Sequence, residues 1–343
     1  EGHVMHITTG ASSLKSSKST PSTRSSSGNR SERRQIQRVE SALDFYTFGK
    51  KVMSSCHPGM QVVFAYQKAT GREVVVKIRA KDQSFTDKAS EREWRESTEF
   101  MLNLPSFQQI AELYGVLEDA EAYYIVMEKV DGADLFETMC GRGMPLVEAK
   151  EVLRQLLLAL RAMHTRGCIH KDLKLENVMF KRLAPNKNSD KSPTGNVSPV
   201  SPVSVKLIDF DTVEEFEPTS PKKTKDVLGT DQYIAQEAYA GNYSPASDIF
   251  AAGVIGFKLL SGRAPFPKEL FNDQPGENWV GSPKMKEIRQ KLCDFRIDWS
   301  HKVFSKEIQA HDLLRWMLSV SEQERPSADQ ALSHPWLTGV PGE

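Results

Sequence analysis

The stretch CIHKDLKLENVMF, Cys168 to Phe180, places a carboxylate at Asp172 and a carboxamide at Asn177 inside a short polar turn. Apolar residues flank the turn on both sides, and Lys174 adds a cation two residues after Asp172. Two further stretches lie on either side of it in the chain. Upstream, TGREVVVKI (Thr70 to Ile78) is a turn, a Val-rich strand and a single Lys77. A lone charge among Val74, Val75, Val76 and Ile78 is directed to a partner, because an unpaired ammonium is costly in such surroundings. Downstream, VKLIDFDTV (Val205 to Val213) is an apolar, β-branched run that ends in Asp209-Phe210-Asp211.

In this order and spacing, the three stretches resemble the protein-kinase signature. The turn matches H-R-D-x-x-x-x-N with Lys171 in the Arg position, the Val-rich strand resembles V-A-I-K, and Asp209 opens a D-F-D in place of D-F-G. Gly229-Thr230-x-x-Tyr233 and Ala235-Gln236-Glu237 are similar to G-T-x-x-Y-x-A-P-E, with Gln for Pro. SDIFAAGVIGFKLLSGRAPFP from Ser247 resembles the buried central helix of the large lobe, with Asp248 tying down the catalytic turn. The closing stretch, Leu313 to Leu337, resembles the calcium/calmodulin-dependent and calcium-dependent protein kinase group, and pairs Arg325 with Glu237.

The resemblance spans residues 45 to 338 and implies an α+β, bilobal protein-kinase fold. A small antiparallel β-sheet lobe with one helix (45–130) would join a larger, mainly helical lobe (131–338), with ATP in the cleft. Residues 1–44 read as a disordered, basic N-terminal extension, and residues 339–343 as a tail. The implied activity is transfer of the ATP γ-phosphate to Ser/Thr hydroxyls of protein substrates, with ATP and Mg²⁺ as cofactors. Lys77 would position the phosphates, Asp172 would act as catalytic base, and Lys174, in the position typical of Ser/Thr kinases, would steady the transferring group. Asn177 and Asp209 would hold Mg²⁺. Met127 would be the gatekeeper behind the adenine, the backbone of Glu128 and Val130 would bond its edge, and Asp134 would lie near the ribose and basic substrate side chains. Alignment on Leu104 and Ile110 puts Ser97 where the family has the helix glutamate that pairs with the strand Lys, so the neighbouring Glu96 is chosen for that pair.

Several departures support an alternative, a pseudokinase acting as an ATP-binding or non-binding scaffold. The three positions of the family's glycine loop fall on Ser55, His57 and Met60, with Gly59 one place off. Val75 narrows the adenine pocket, and Asp211 for Gly removes backbone freedom at a hinge. Lys171 for Arg lacks the planar fork that receives an activation-segment phosphate, for which Thr224 and Ser220 are candidate sites. None of the five core residues Lys77, Asp172, Lys174, Asn177 and Asp209 is lost, which favours the active enzyme.

Composition sets wider bounds. Lys+Arg and Asp+Glu are equal at 45 each, so no overall charge points to nucleic acid or a membrane. Four cysteines without a C-x-x-C pair fit reduced thiols in an intracellular, cytoplasmic protein, and a monomer is expected. Because it begins with Glu1 and not Met, the chain reads as an excerpt of a longer protein. Arg30, Arg33, Arg34 and Arg38 read as a solvated helix face, or as a dock for acidic partners. Residues 181–204, rich in Ser, Pro, Asn and Lys, form an insertion of about 20 residues, long for a loop inside a compact domain. Its Ser192-Pro193, Ser198-Pro199 and Ser201-Pro202 resemble sites for an upstream proline-directed kinase. His170 reads as a hydrogen-bonded structural residue and not a base.

Overall fold

The computed structural model describes residues 33–54, 59–184, 202–217, 219 and 223–339. The expectations for Ser55, His57, Ser192, Ser198, Ser201, Ser220 and the tail before Arg33 lie outside the described residues.

β-branched and aromatic residues in short runs favour a pleated surface with one side covered. They build a six-stranded sheet from β1 (Gln37–Arg38), β2 (Tyr46–Ser54), β3 (Met60–Gln67), β4 (Glu73–Ala80), β5 (Leu113–Glu118) and β6 (Ala122–Glu128). The spatial order is β1-β5-β6-β4-β3-β2. The pairs are antiparallel except at the edge, where β1 joins β5 in parallel with Gln37 opposite Leu117. This corrects the boundary at residue 44: the strand and a capped turn at Ala42–Asp44 belong to the small lobe. It also corrects the reading of the arginines. Arg34 lies in an irregular segment before β1, where its Nε donates to Leu102 O at 2.7 Å and its Nη2 to Leu113 O at 3.2 Å. A guanidinium offers several donors in one plane, so it serves two backbone carbonyls at once.

After a single turn, α1 (Lys81–Ser84), comes the lobe's long helix, α2 (Lys88–Leu102). It starts at Lys88 because Asp87 caps it, accepting from Ser90 N at 2.8 Å in a reciprocal capping box.

The large lobe runs through β7 (Ala133–Asp134), α3 (Leu135–Met139), α4 (Leu146–His164), β8 (Cys168–Ile169), β9 (Val178–Arg182), β10 (Val203–Leu207) and β11 (Glu214–Glu215). It continues through α5 (Pro245–Ser261), α6 (Pro283–Asp294), α7 (Lys302–Lys306), α8 (Ile308–Met317), α9 (Ala328–Leu332) and α10 (Pro335–Thr338). Val152, Leu153, Leu156, Leu157, Leu160 and Met163 of α4 are fully buried. At about 2 kcal/mol each, this stripe contributes on the order of 10 kcal/mol before entropy is counted. α5 is apolar nearly all round and buried accordingly. Its Gly256 lets α8 pack closely, since a Cβ there would meet Leu314 Cδ2 of α8 at 2.7 Å and that leucine would have to shift.

The strands flanking the insertion reach further than expected. β9 and β10 pair from Val178/Leu207 to Arg182/Val203, and Leu183 N still donates to Pro202 O at 2.7 Å. Residues 181–182 and 203–204 are therefore sheet residues and not insertion. Gln155 locks the hairpin from α4, donating to Val203 O and accepting from Val205 N, each at 2.9 Å. Among the described residues, no helix is long and apolar enough to cross a membrane.

Candidate active site

Lys77 lies in the middle of β4, opposite Val62 and Ile125, and is only 8% exposed. A buried ammonium needs a counter-charge. It finds two, Asp209 Oδ1 at 2.7 Å and Asp211 Oδ2 at 2.5 Å. Burial pulls the Lys77 ammonium down, but the Asp211 and Asp209 carboxylates together hold it above its ordinary value. Asp209 shows the reciprocal balance: burial raises its carboxyl, and Lys77 brings it below the usual range.

The expected Lys77–Glu96 pair is not formed. The Glu96 side chain is 74% exposed and faces Arg92 at 3.9 Å. One residue is about 100° of helix, which separates Glu96 from Ser97 on the inner face. Ser97 Oγ donates to Val213 O at 3.1 Å, and Ser97, Met101, Met127, Phe210 and Asp211 line one cavity.

Backbone strain marks the catalytic turn. Lys171 and Asp209 are in the left-handed region at φ 67° and 65°, where non-glycine residues are uncommon. Asp248, fully buried on α5, over-determines the first, since its carboxylate accepts from the backbone N of His170 at 2.9 Å and of Lys171 at 3.0 Å. Asp211 is not among the positive-φ residues, so this backbone does not need the glycine that the family pattern suggested. His170 is also not hydrogen-bonded through its ring. Both ring nitrogens are buried without a partner, and the ring stands edge-on to Phe210 at 5.9 Å.

The turn then gathers its charged atoms within hydrogen-bond reach. Asp172 Oδ2 is 2.8 Å from Lys174 Nζ, and Asp172 Oδ1 accepts from the Thr230 hydroxyl at 2.8 Å. Lys174 Nζ also donates to Thr230 Oγ1 at 3.0 Å. Asn177 Nδ2 donates to Asp172 O at 2.8 Å, which leaves its Oδ1 as an acceptor. That oxygen and the Asp209 carboxylate are hard donors of the kind Mg²⁺ takes, so the residues present suit the ion.

Met127 lies near the end of β6, opposite Val75 and Leu113, with Glu128 and Val130 following where the chain leaves the small lobe. The Glu128 side chain is committed to Lys206 at 2.6 Å. Asp134 caps α3, accepting from Glu137 N at 2.7 Å. Met60, at the last glycine position, is buried at the start of β3, and the left-handed residue is its neighbour Gly59 (φ 71°).

Besides Lys77–Asp211, two further partnerships escaped the sequence reading. Lys171 is ion-paired with Glu214, and Gln236 Oε1 accepts from Arg325 Nη2 at 3.0 Å. The second accompanies the expected pair, in which Arg325 grips Glu237 bidentately at 2.6 and 2.9 Å. The signal available for Lys77 was the coincidence of a missing helix acid at Ser97 and an extra acid at Asp211.

A family model described as "Protein kinase domain" matches residues 59–337. The chain is 30% identical over 312 residues to calcium-dependent protein kinase 2 of Arabidopsis thaliana, covering 90% of this chain and 43% of that protein. It is 30% identical over 278 residues to calcium-dependent protein kinase 4 of Plasmodium falciparum, covering 81% and 47%. To the death-associated protein kinase dapk-1 of Caenorhabditis elegans it is 31% identical over 238 residues, covering 68% and 14%. The chain spans less than half the length of these curated relatives. With the bilobal fold in place, this match shows that the chain belongs to the protein kinase family, in its Ser/Thr-type, calcium/calmodulin-dependent-kinase-like group.

Proposed function

We propose that the chain is an active serine/threonine kinase that transfers the γ-phosphoryl group of ATP to hydroxyls of protein substrates. The observation that carries this reading is the Asp172 carboxylate. It already accepts a hydrogen bond from a threonine hydroxyl, Thr230, with Lys174 2.8 Å from its other oxygen. A substrate hydroxyl at the same carboxylate would be oriented for in-line attack on the γ-phosphorus. The P–O bond to the leaving diphosphate breaks as the new one forms, and the hydroxyl proton passes to Asp172. Lys174 offsets charge on the transferring group, and Lys77 orients the phosphates from the opposite lobe. Asn177 and Asp209 would hold Mg²⁺, which neutralises phosphate charge when bound. Met127, Glu128, Val130 and Asp134 are assigned to the adenosine end on the family likeness.

A second reading, a nucleotide-binding module without turnover, is favoured by Ser97 in place of the helix acid and by Met60 in place of a glycine. Phosphate transfer from Mg-ATP to a basic Ser/Thr peptide, with Asp172→Asn in parallel, separates the two. Loss of a general base costs about 10²–10⁴-fold in kcat, and nucleotide binding should survive. No transfer by the unaltered chain, with Mg-ATP still raising its Tm, would establish the second reading instead.

A further inference from the structure

Lys77 is buried in the nucleotide lobe, and the helix that should hold it has no acid at the expected position. Ser97 stands at that position, and Glu96 points to solvent. The missing carboxylate is present elsewhere. Asp211, two residues after Asp209, reaches Lys77 Nζ at 2.5 Å with a side chain 24% exposed. Its backbone is free of left-handed strain, so an L-residue sits there without penalty. Ser97 and Asp211 also line the same cavity, so an acid on α2 and an acid at 211 would occupy neighbouring space.

We infer that Asp211 is the positioning residue for Lys77. It replaces the helix glutamate as the anchor that aims the ammonium at the nucleotide phosphates. The inference rests on the kinase reading and deepens it.

The relocation changes what the ion pair connects. A helix acid would tie Lys77 to α2, making the lobe's active geometry depend on where that helix sits. Asp211 ties Lys77 instead to the start of the activation segment, beside Asp209. α2 meets the same segment through a neutral contact, Ser97 Oγ to Val213 O. The anchor and the metal-side aspartate are then carried on one stretch of backbone. Lys77 is set by the segment that brings Asp209, and α2 has no electrostatic role at Lys77.

The test moves the charge back. Asp211→Gly restores the family residue and should lower kcat about 100-fold, the scale of a misplaced positioning group. Adding Ser97→Glu to it should recover kcat to within about 5-fold of the unaltered chain, since Ser97 lines the cavity that the Asp211 side chain vacates. A stability cycle on Lys77→Met, Asp211→Asn and the double variant, by urea unfolding without nucleotide, reads the pair independently of turnover. Non-additive effects support the anchor. Strict additivity in the cycle overturns it, as does an Asp211→Gly variant with undiminished or raised kcat, which would mean that Asp211 restrains Lys77. If the unaltered chain transfers no phosphate, the kinase reading fails, and the stability cycle still decides whether Asp211 anchors Lys77.

Discussion

The ammonium of Lys171 is ion-paired with the carboxylate of Glu214 across the short sheet of β8 and β11, with 5% of the lysine side chain exposed. In the family pattern this position carries an arginine that receives an activation-segment phosphate. Here a shorter cation is already neutralised by a residue of the segment itself, and it also lies 5.4 Å from the Tyr243 ring centroid.

The activation segment should therefore hold its form without a phosphate. Treatment with a non-specific phosphatase should leave phosphate transfer within about 2-fold. Glu214→Gln should lower unfolding free energy by about 3 kcal/mol, because a buried lysine loses its counter-charge. Urea unfolding measures the second; a large activity loss on dephosphorylation would contradict the first.

Arg325 and Gln236 make a graded pair of tests. Arg325→Lys replaces a bidentate grip on a buried carboxylate with a point charge, and should cost about 3 kcal/mol. Gln236→Pro removes one hydrogen bond worth about 1 kcal/mol. The preceding Ala235 is extended (φ −71°, ψ 155°), as a residue before proline prefers, and proline's restriction of the unfolded chain offsets about half of the loss. Thermal unfolding should separate the two variants clearly, with Gln236→Pro close to the unaltered chain.

Asp248 sets an acid limit. Burial raises its carboxyl, but the hydrogen bond from His164 Nε2 at 2.9 Å and the bonded N–H of His170 bring it below the ordinary 3.8. Since the folded value is the lower one, its contribution is full above the unfolded value and is lost as pH falls through the folded value. Asp248→Asn should cost about 2 kcal/mol at pH 7 and flatten the loss of stability below about pH 4. An unchanged acid slope would sink the assignment.

The thiols should differ sharply in reactivity. Cys140 is exposed, whereas burial, followed by the Asp248 charge, pushes the Cys168 thiol up to about 12. The thiolate is the reactive form. A maleimide at pH 8 should label Cys140 in the folded chain and Cys168 only after denaturation, as peptide mass mapping would show.

Much of the site was legible because its spacing is local. Asp172, Lys174 and Asn177 fall in one turn, so their order along the chain already places them together. Helix α4 was legible for a similar reason: its 3.6-residue apolar period needs no knowledge of what covers it. Glu96 was misplaced because one residue of helix is about 100°: the acid next to Ser97 in sequence faces away from Lys77. The Arg34 contacts and β1 were missed because short polar segments gain order from the carbonyls and strand edges they meet, which lie far along the chain.

The sequence by itself determined the family, the lobes and the identity of the ionic residues, since each depends on local periodicity or on spacing within one element. Only the tertiary structure decided which carboxylates meet Lys77 and Lys171. Lys77 and Asp211 are 134 residues apart, and Lys171 and Glu214 are 43 apart. A buried charge accepts whichever counter-charge the folded backbone brings within about 3 Å, because leaving it unpaired costs several kcal/mol. The pairings of Lys77 and Lys171 are therefore properties of packing, whereas the Arg325–Glu237 pair was already implied by the motifs.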